Sequence, residues 1–226
     1  MESIATRFSA IFLFFHQGGW VMIPLVLCSI VGLTVMIEMA IALRRRSIIP
    51  GKLVEELESM TSPDDAPRVL GRFEKANCPF ANVVKVGLRN RLLPRLENQE
   101  EIILAGRQEA HKLERGLIAL EIIAAIAPLL GLLGTVLGMV QVFDVVSKVG
   151  VGQASLLSGG IKEALYTTVV GLVVAIPCLV AYSCFSKHVD DLILEIERYA
   201  TLLLNKLYGP GGQKRPLPDR AQGSRP

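Results

Sequence analysis

The sequence predicts an all-α integral membrane protein with three transmembrane helices, its N-terminus outside and C-terminus inside, and long helices continuing into the cytoplasm. Three observations lead there. Residues 117–146 form a run whose only formal charges are Glu121 and Asp144, one near each end. At about 1.5 Å rise per residue, even the middle 20 or so of these residues cross a hydrocarbon core of roughly 30 Å. The composition, 51% hydrophobic with a mean hydropathy of +0.45 over 226 residues, is not that of a soluble domain. Lys and Arg are also segregated: 14 of the 24 lie in residues 44–116 and seven in 187–226, leaving only Arg7, Lys148 and Lys162 elsewhere. The positive-inside rule then puts the two basic regions in the cytoplasm and the N-terminus and the 147–159 connection outside, which takes three spans.

In chain order, residues 1–19 contain Phe8, Ile11, Phe12, Leu13, Phe14 and Phe15, a run too short to span but suited to lying on the outer bilayer surface. A signal peptide is the rival reading, but no small-x-small cleavage site follows and Gly18-Gly19 leads directly into a longer apolar segment. That segment, residues 20–43, is the first span, with Trp20 as an interfacial aromatic and Arg44, Arg45 and Arg46 ending it. Glu38 is close enough to those arginines for an interfacial ion pair. Residues 44–116 form a cytoplasmic helical region, with short helices expected over 52–60 and 67–75. Between them Ser62-Pro63-Asp64 is a helix-start signal, and Pro79 and Pro94 bound the next helix. From Asn98 to Val146 apolar residues recur at near-helical spacing, which predicts one long helix whose upper part, 117–146, is the second span. Residues 160–186 form the third span and 187–208 carry that helix on into the cytoplasm. Gly209-Pro210-Gly211-Gly212 stops it, and 209–226 is a disordered tail rich in Pro, Gly and Arg.

The two later spans each have a face of small residues. At about 100° per residue, Ala124, Ala127, Pro128, Gly131, Gly134, Thr135 and Gly138 share one side of the second span, and Ile126, Leu129, Leu130, Leu133, Val136, Leu137 and Val140 the other. On the third, Glu163, Ala164, Thr167, Thr168, Gly171, Ala175, Cys178 and Ala181 oppose Leu165, Val169, Leu172, Val173, Ile176 and Val180. Small side chains let helix backbones approach in lipid, where apolar burial gives no net drive, so Gly131, Gly134, Gly138 and Gly171 are packing positions. Pro128 and Pro177 are expected kinks. A threonine in a span is commonly bonded to its own helix, the bland reading of Thr135. A glutamate within a span normally faces a bundle interior or a wet cavity, which makes Glu163 the leading site candidate. The structural alternative is an acid favoured by a helix N-terminus.

Enzymatic chemistry is not expected, because no GxxxxGK[ST], GxSxG or HExxH occurs. Cys28, Cys78, Cys178 and Cys184 have no CxxC spacing, and His16, His111 and His188 are far apart, so neither a disulfide framework nor a metal site is implied.

The run Ala127-Pro128-Leu129-Leu130-Gly131-Leu132-Leu133-Gly134-Thr135-Val136-Leu137-Gly138-Met139 resembles the MotA/TolQ/ExbB proton channel family, most closely its ExbB and TolQ branch. Gly159-Gly160-Ile161-Lys162-Glu163-Ala164-Leu165, Gly171-Leu172-Val173-Val174-Ala175-Ile176-Pro177 and, in the first span, Gly18-Gly19-Trp20-Val21-Met22-Ile23-Pro24-Leu25 extend the resemblance. It departs at Glu38-Met39, where the family usually has Glu-Arg.

The resemblance implies an inner-membrane pentamer whose second and third spans line a pore around an ExbD- or TolR-like dimer of single-span helices. Protons are the coupling ion, no cofactor takes part, and a TonB- or TolA-like protein is driven for outer-membrane transport or envelope maintenance. Positions matching Thr135, Glu163 and Thr168 face that pore, while the proton-carrying aspartate belongs to the partner. Two alternatives stay open: a rotary stator of the MotA or gliding-motor type, and a passive membrane scaffold needing the glycine faces but not Glu163.

Overall fold

The structure, a computed structural model, describes residues 20–149 and 154–209. The surface segment expected over 1–19, part of the 147–159 connection, the tail beyond Gly209 and the side chain of Glu163 lie outside the described residues. Among the described residues every regular element is helical: α1 (Met22–Ala42), α2 (Arg45–Ile48), α3 (Gly51–Ser59), a 3-10 turn (Pro63–Asp65), α4 (Ala66–Phe73), α5 (Pro79–Arg89), α6 (Arg95–Val149) and α7 (Ala154–Tyr208). The long helix expected from Asn98 begins three residues earlier, just after Pro94, and runs unbroken through Pro128; α7 likewise runs through Pro177. Three helices, α1, α6 and α7, are long and apolar enough to cross a membrane, with apolar windows of mean hydropathy 2.3, 2.3 and 2.2.

The chain divides into two compact units. The first holds α1, residues 114–149 of α6 and residues 154–187 of α7. Its interior is a thin seam. Leu120, Ile123 and Cys178 form one buried cluster, flanked by Cys28, Val35 and Met36 of α1, and Met22, Leu25, Ala127, Val170 and Ala175 form another. The opposite faces are bare: Leu129, Val136 and Val140 of α6 and Leu165, Val173 and Ile176 of α7 are all more than half exposed. Helices hydrophobic on both sides, with only one side packed, are built for lipid or for further helices.

The α6–α7 seam is where the glycines act. A Cβ built on Gly171 would lie 2.6 Å from the Ala127 carbonyl oxygen and 3.1 Å from the Gly131 Cα, and one built on Gly131 would lie 2.9 Å from the Thr167 carbonyl oxygen. These are backbone atoms, which cannot rotate away. Axial register follows from the same contacts. Ala127 against Gly171, Thr167 against Gly134 and Ala164 against Gly138 set α7 antiparallel to α6. Ile123 on Gly32 and Met39 on Gly116 set α1 antiparallel to it as well.

The second unit holds residues 43–113 and those from 188 onward. Its centre is an aromatic stack in which Phe80 meets Phe73 edge-on at 5.7 Å and Tyr199 at 5.4 Å; such pairs add about 0.5–1.5 kcal/mol each beyond burial. The expected helix start at Ser62 is a capping box, with the Asp65 carboxylate accepting from Ser62 N and Thr61 N at 3.1 Å. Those two backbone bonds hold the Asp65 carboxyl below its ordinary range. The end of α7 is tied down twice. Arg95 donates to the Gly209 carbonyl and to Asn205 Oδ1, both at 2.9 Å. Buried Asn98 donates to Tyr208 Oη at 2.9 Å, and that hydroxyl donates in turn to the Leu93 carbonyl at 2.9 Å. Gly209 ends the helix with φ +80, a conformation glycine adopts without strain.

Glu38 does not make the ion pair expected of it. Among the described residues it has none, and the arginine of the triplet that is paired, Arg45, meets Glu195 of α7 instead. Hydrogen bonding from Arg45 holds the Glu195 carboxyl below its ordinary range. Closeness along the chain does not decide the pairing: Glu195, 150 residues from Arg45, is the carboxylate the fold brings to it.

Since the atoms facing Gly171 are backbone, Gly171→Ala should cost about 1–3 kcal/mol through overpacking. A thermal melt of the purified protein checks it; an unchanged midpoint would show that the seam can open without penalty.

Candidate functional site

The three residues singled out for a proton pathway all lie in the first unit, on the two helices of the glycine seam. Thr135 is half-buried, four residues beyond Gly131 on α6, and its hydroxyl donates to the Leu132 carbonyl at 2.6 Å. The bland reading of a threonine bonded to its own helix therefore describes its proton. Its oxygen keeps lone pairs that can accept. Thr168 is half-buried on α7 and donates across the seam to the Gly131 carbonyl at 3.0 Å. Glu163 sits in α7, five residues before Thr168, and its side chain is not described.

The two hydroxyls are brought to one region of the seam through Gly131, whose carbonyl takes the Thr168 proton and whose own helix carries Thr135 one turn on. A side chain at position 131 would push α7 away and break the Thr168 bond, because it would meet Thr168 Cα at 3.0 Å. The glycine is thus part of the site as well as of the packing.

Thr167 is the residue that sequence reasoning grouped with the small face but did not single out. It is only 1% exposed, and its hydroxyl lies 2.7 Å from the Ala164 carbonyl and 3.3 Å from that of Gly131. The 2.7 Å contact is the better bond for its single proton. The wheel contained the signal, since Thr167 and Gly171 are one turn apart on α7, but only the seam shows that position 167 points into it and 168 to its edge.

At the other end of the hairpin Lys148 pairs with Asp144 at 3.0 Å, and the Lys162 ammonium stands 5.5 Å from the Tyr166 ring centre. Two of the three cations found outside the basic regions are thereby placed near the ends of α6 and α7. The four cysteines are free thiols. Among the described residues no three His, Cys, Asp or Glu side chains converge as a metal site would need.

A polar, glycine-dependent seam between two long apolar helices is the feature to set beside known proteins. The profile of the MotA/TolQ/ExbB proton channel family matches residues 75–198, more than half of the chain and most of both seam helices. The chain belongs to the MotA/TolQ/ExbB proton channel family. Curated relatives agree. An ExbB-like biopolymer transport protein of Synechocystis is 30% identical over 170 residues, 74% of this chain and 81% of the relative. The biopolymer transport protein exbB1 of Vibrio cholerae is 36% identical over 92 residues, only 40% of either chain. The Tol-Pal system protein TolQ of Haemophilus influenzae is 32% identical over 110 residues, 47% of this chain and 48% of the relative. The chain is thus an ExbB/TolQ-like member of a membrane-protein family.

If the Thr168 hydroxyl ties α7 to Gly131, Thr168→Val, close in shape but without the oxygen, should lower stability by about 1 kcal/mol. Thr168→Ser should restore most of it. Paired melts of the three proteins check this, and equal melting of Val and Ser variants would reduce Thr168 to a space-filling residue.

Proposed function

We propose that this chain is the inner-membrane channel subunit of a proton-driven machine. It assembles as a homo-oligomer, a pentamer on the family pattern, with the N-terminus outside, the C-terminus inside and three passes through the membrane. Its α6–α7 seams surround an ExbD- or TolR-like single-span partner, and protons crossing that complex move a TonB- or TolA-like protein. Protons are the only cofactor-like species and the chain is not an enzyme. One observation carries the reading: the family match spans both seam helices, and those helices bear hydroxyls at Thr135 and Thr168 beside close-packed glycines. The relatives' names, biopolymer transport for some and the Tol-Pal system for another, support transport or envelope maintenance as the work done. The segregation of Lys and Arg supports the orientation.

In this mechanism Thr135 and Thr168 solvate or relay a proton near the partner's aspartate, since a hydroxyl can donate and accept at once. Glu163, near the start of α7, gathers protons at the outer mouth. A rotary stator differs in its partner, while a passive scaffold would need the seam but no acid.

Proton flux into liposomes bearing the complex with its ExbD-like partner separates these readings. Glu163→Gln keeps size and polarity but cannot exchange a proton, so flux should fall by at least about ten-fold while the oligomer mass by native mass spectrometry is unchanged. Wild-type flux in Glu163→Gln would make the acid structural and favour the scaffold.

Orientation has its own test in a cysteine-free background. Ser59→Cys should resist an impermeant maleimide in intact cells, whereas Lys148→Cys should react; the reverse pattern would invert the topology.

A further inference from the structure

Several ionisable residues of the first unit have no part in the mechanism above, and one of them lies, among the described residues, without a partner inside the apolar run of a seam helix. Glu121 of α6 is exposed, and among the described residues it has neither an ion pair nor a hydrogen bond. The sequence puts it near one end of an apolar run, but the register of the helices puts it deeper. On α1, the pairs Met39 with Gly116 and Ile123 with Gly32 make Glu121 level with about Thr34, eight residues before Ala42, the last of that helix. On α7, the pairs of the glycine seam make it level with about Leu179, eight residues before Lys187. At roughly 1.5 Å per residue, the count on α7 sets the carboxyl about 12 Å inside the end of that helix's apolar stretch, and the count on α1 sets it about 12 Å inside the helix end and one turn deeper than Glu38. One turn to either side, at Leu117, Ile118, Ala124 and Ala125, α6 offers no cation. An acid at such depth is costly unless it meets water or a protein partner.

Its direction is also defined. Glu121, Pro128 and Thr135 recur at seven-residue spacing and so follow one stripe of α6, drifting only about 20° per step. That stripe lies roughly 130° around the helix from Gly116 and Ile123, the residues set against α1, taking about 100° per residue. It therefore runs along the edge of the glycine seam that α1 leaves open, the edge carrying the Thr135 hydroxyl.

We infer that Glu121 is the inner-side proton-transfer group of the pathway, taking over protons after the Thr135–Thr168 region and passing them to cytoplasmic water. This rests on the proton-channel reading and extends it by one residue. Protonated Glu121 releases its proton to water on the inner side, and its carboxylate is reprotonated through water from the hydroxyl side. The acid returns unchanged after each transfer, and no other species is consumed. Thr135 is about 21 Å from it along the axis at roughly 1.5 Å per residue, so water must fill the stripe between them, as the open edge permits.

The experiment uses the full chain in complex with its single-span partner, reconstituted in liposomes. Glu121→Gln should lower proton flux by at least about ten-fold, the scale on which a positioned acid–base group acts, with the oligomer mass unchanged, and Glu121→Asp should recover most of it. Undiminished flux in Glu121→Gln beside a working wild type would overturn the inference and leave the channel reading standing. A wild-type complex that carries no flux would overturn the channel reading and this inference with it. Should Glu121→Gln fail to assemble, dicyclohexylcarbodiimide, which reacts with protonated carboxyls from within the bilayer, decides on wild type. Addition to Glu121 with loss of flux supports the role, and full flux after Glu121 is modified refutes it.

Discussion

Contact between two backbones, at Gly131 of α6 and Gly171 of α7, is the constraint on which the first unit depends. Lipid gives apolar side chains no reason to leave it for one another, so helices in a bilayer are held by close packing and by polar bonds that the closeness permits. With Gly171 against the Ala127 carbonyl, the helices are near enough for Thr168 to reach the Gly131 oxygen and for Thr167 to be enclosed. Separated by the width of one methyl group on each side, the same residues would lose those bonds and leave hydroxyls to satisfy themselves within their own helices. Packing and polar chemistry at this seam are one property.

The rest of the apolar surface follows a different rule. Leu129, Val136, Val140, Leu165, Val173 and Ile176 stay more than half exposed although each could bury roughly 1.5–3 kcal/mol of transfer free energy in a soluble core. A chain in water could not present such faces; one in hydrocarbon loses nothing by it. The second unit obeys the aqueous rule instead: Phe73, Phe80, Leu57 and Leu203 are fully enclosed, and apart from buried Glu109, held by Asn82 and Lys112, charges pair at its surface, as Glu74 does with Arg89. Such exposed pairs contribute little, typically about 0–1 kcal/mol, so the second unit is held by its core.

Much of this was legible in the sequence, and the reason is period. Glycine and alanine at helical spacing marked the packed face of both seam helices, and Ser62-Pro63-Asp64 and Gly209 marked local starts and stops, because each reports on the backbone within a turn or two. Depth was not legible. A wheel gives the side of a helix on which a residue lies but not how far along a neighbour it sits, and so Glu121 read as terminal until Met39 and Gly116 fixed the register. Partners distant in sequence were equally out of reach: Arg45 could pair with Glu38 or with Glu195, and only the fold decides. The distinction between Thr167 and Thr168 failed for a subtler cause, since neighbours about 100° apart on a wheel can both border a small face while only one of them points into it.

The state of the two hydroxyls also bears on how a proton would cross. The Gly131 carbonyl has two lone pairs. In a continuous helix one serves the backbone N–H of Thr135, four residues on, and the other takes the Thr168 proton. That leaves Thr167 to its shorter bond with Ala164. Thr135 in turn spends its proton on the Leu132 carbonyl. At rest, then, each hydroxyl offers acceptor lone pairs toward the open edge and keeps its proton committed. Such a site can accept a hydrogen bond from water or a carboxylic acid, and it can move a proton only by giving up its own as it takes another, which requires the hydroxyl to rotate out of a bond worth about 0.5–1.5 kcal/mol net. That is a small barrier beside the cost of placing a bare charge in lipid. In the proposed channel the seam would therefore favour transfer in which an acid or water approaches Thr135 and Thr168 as a donor, and the committed protons would keep the proposed path from being a standing wire when no donor is there.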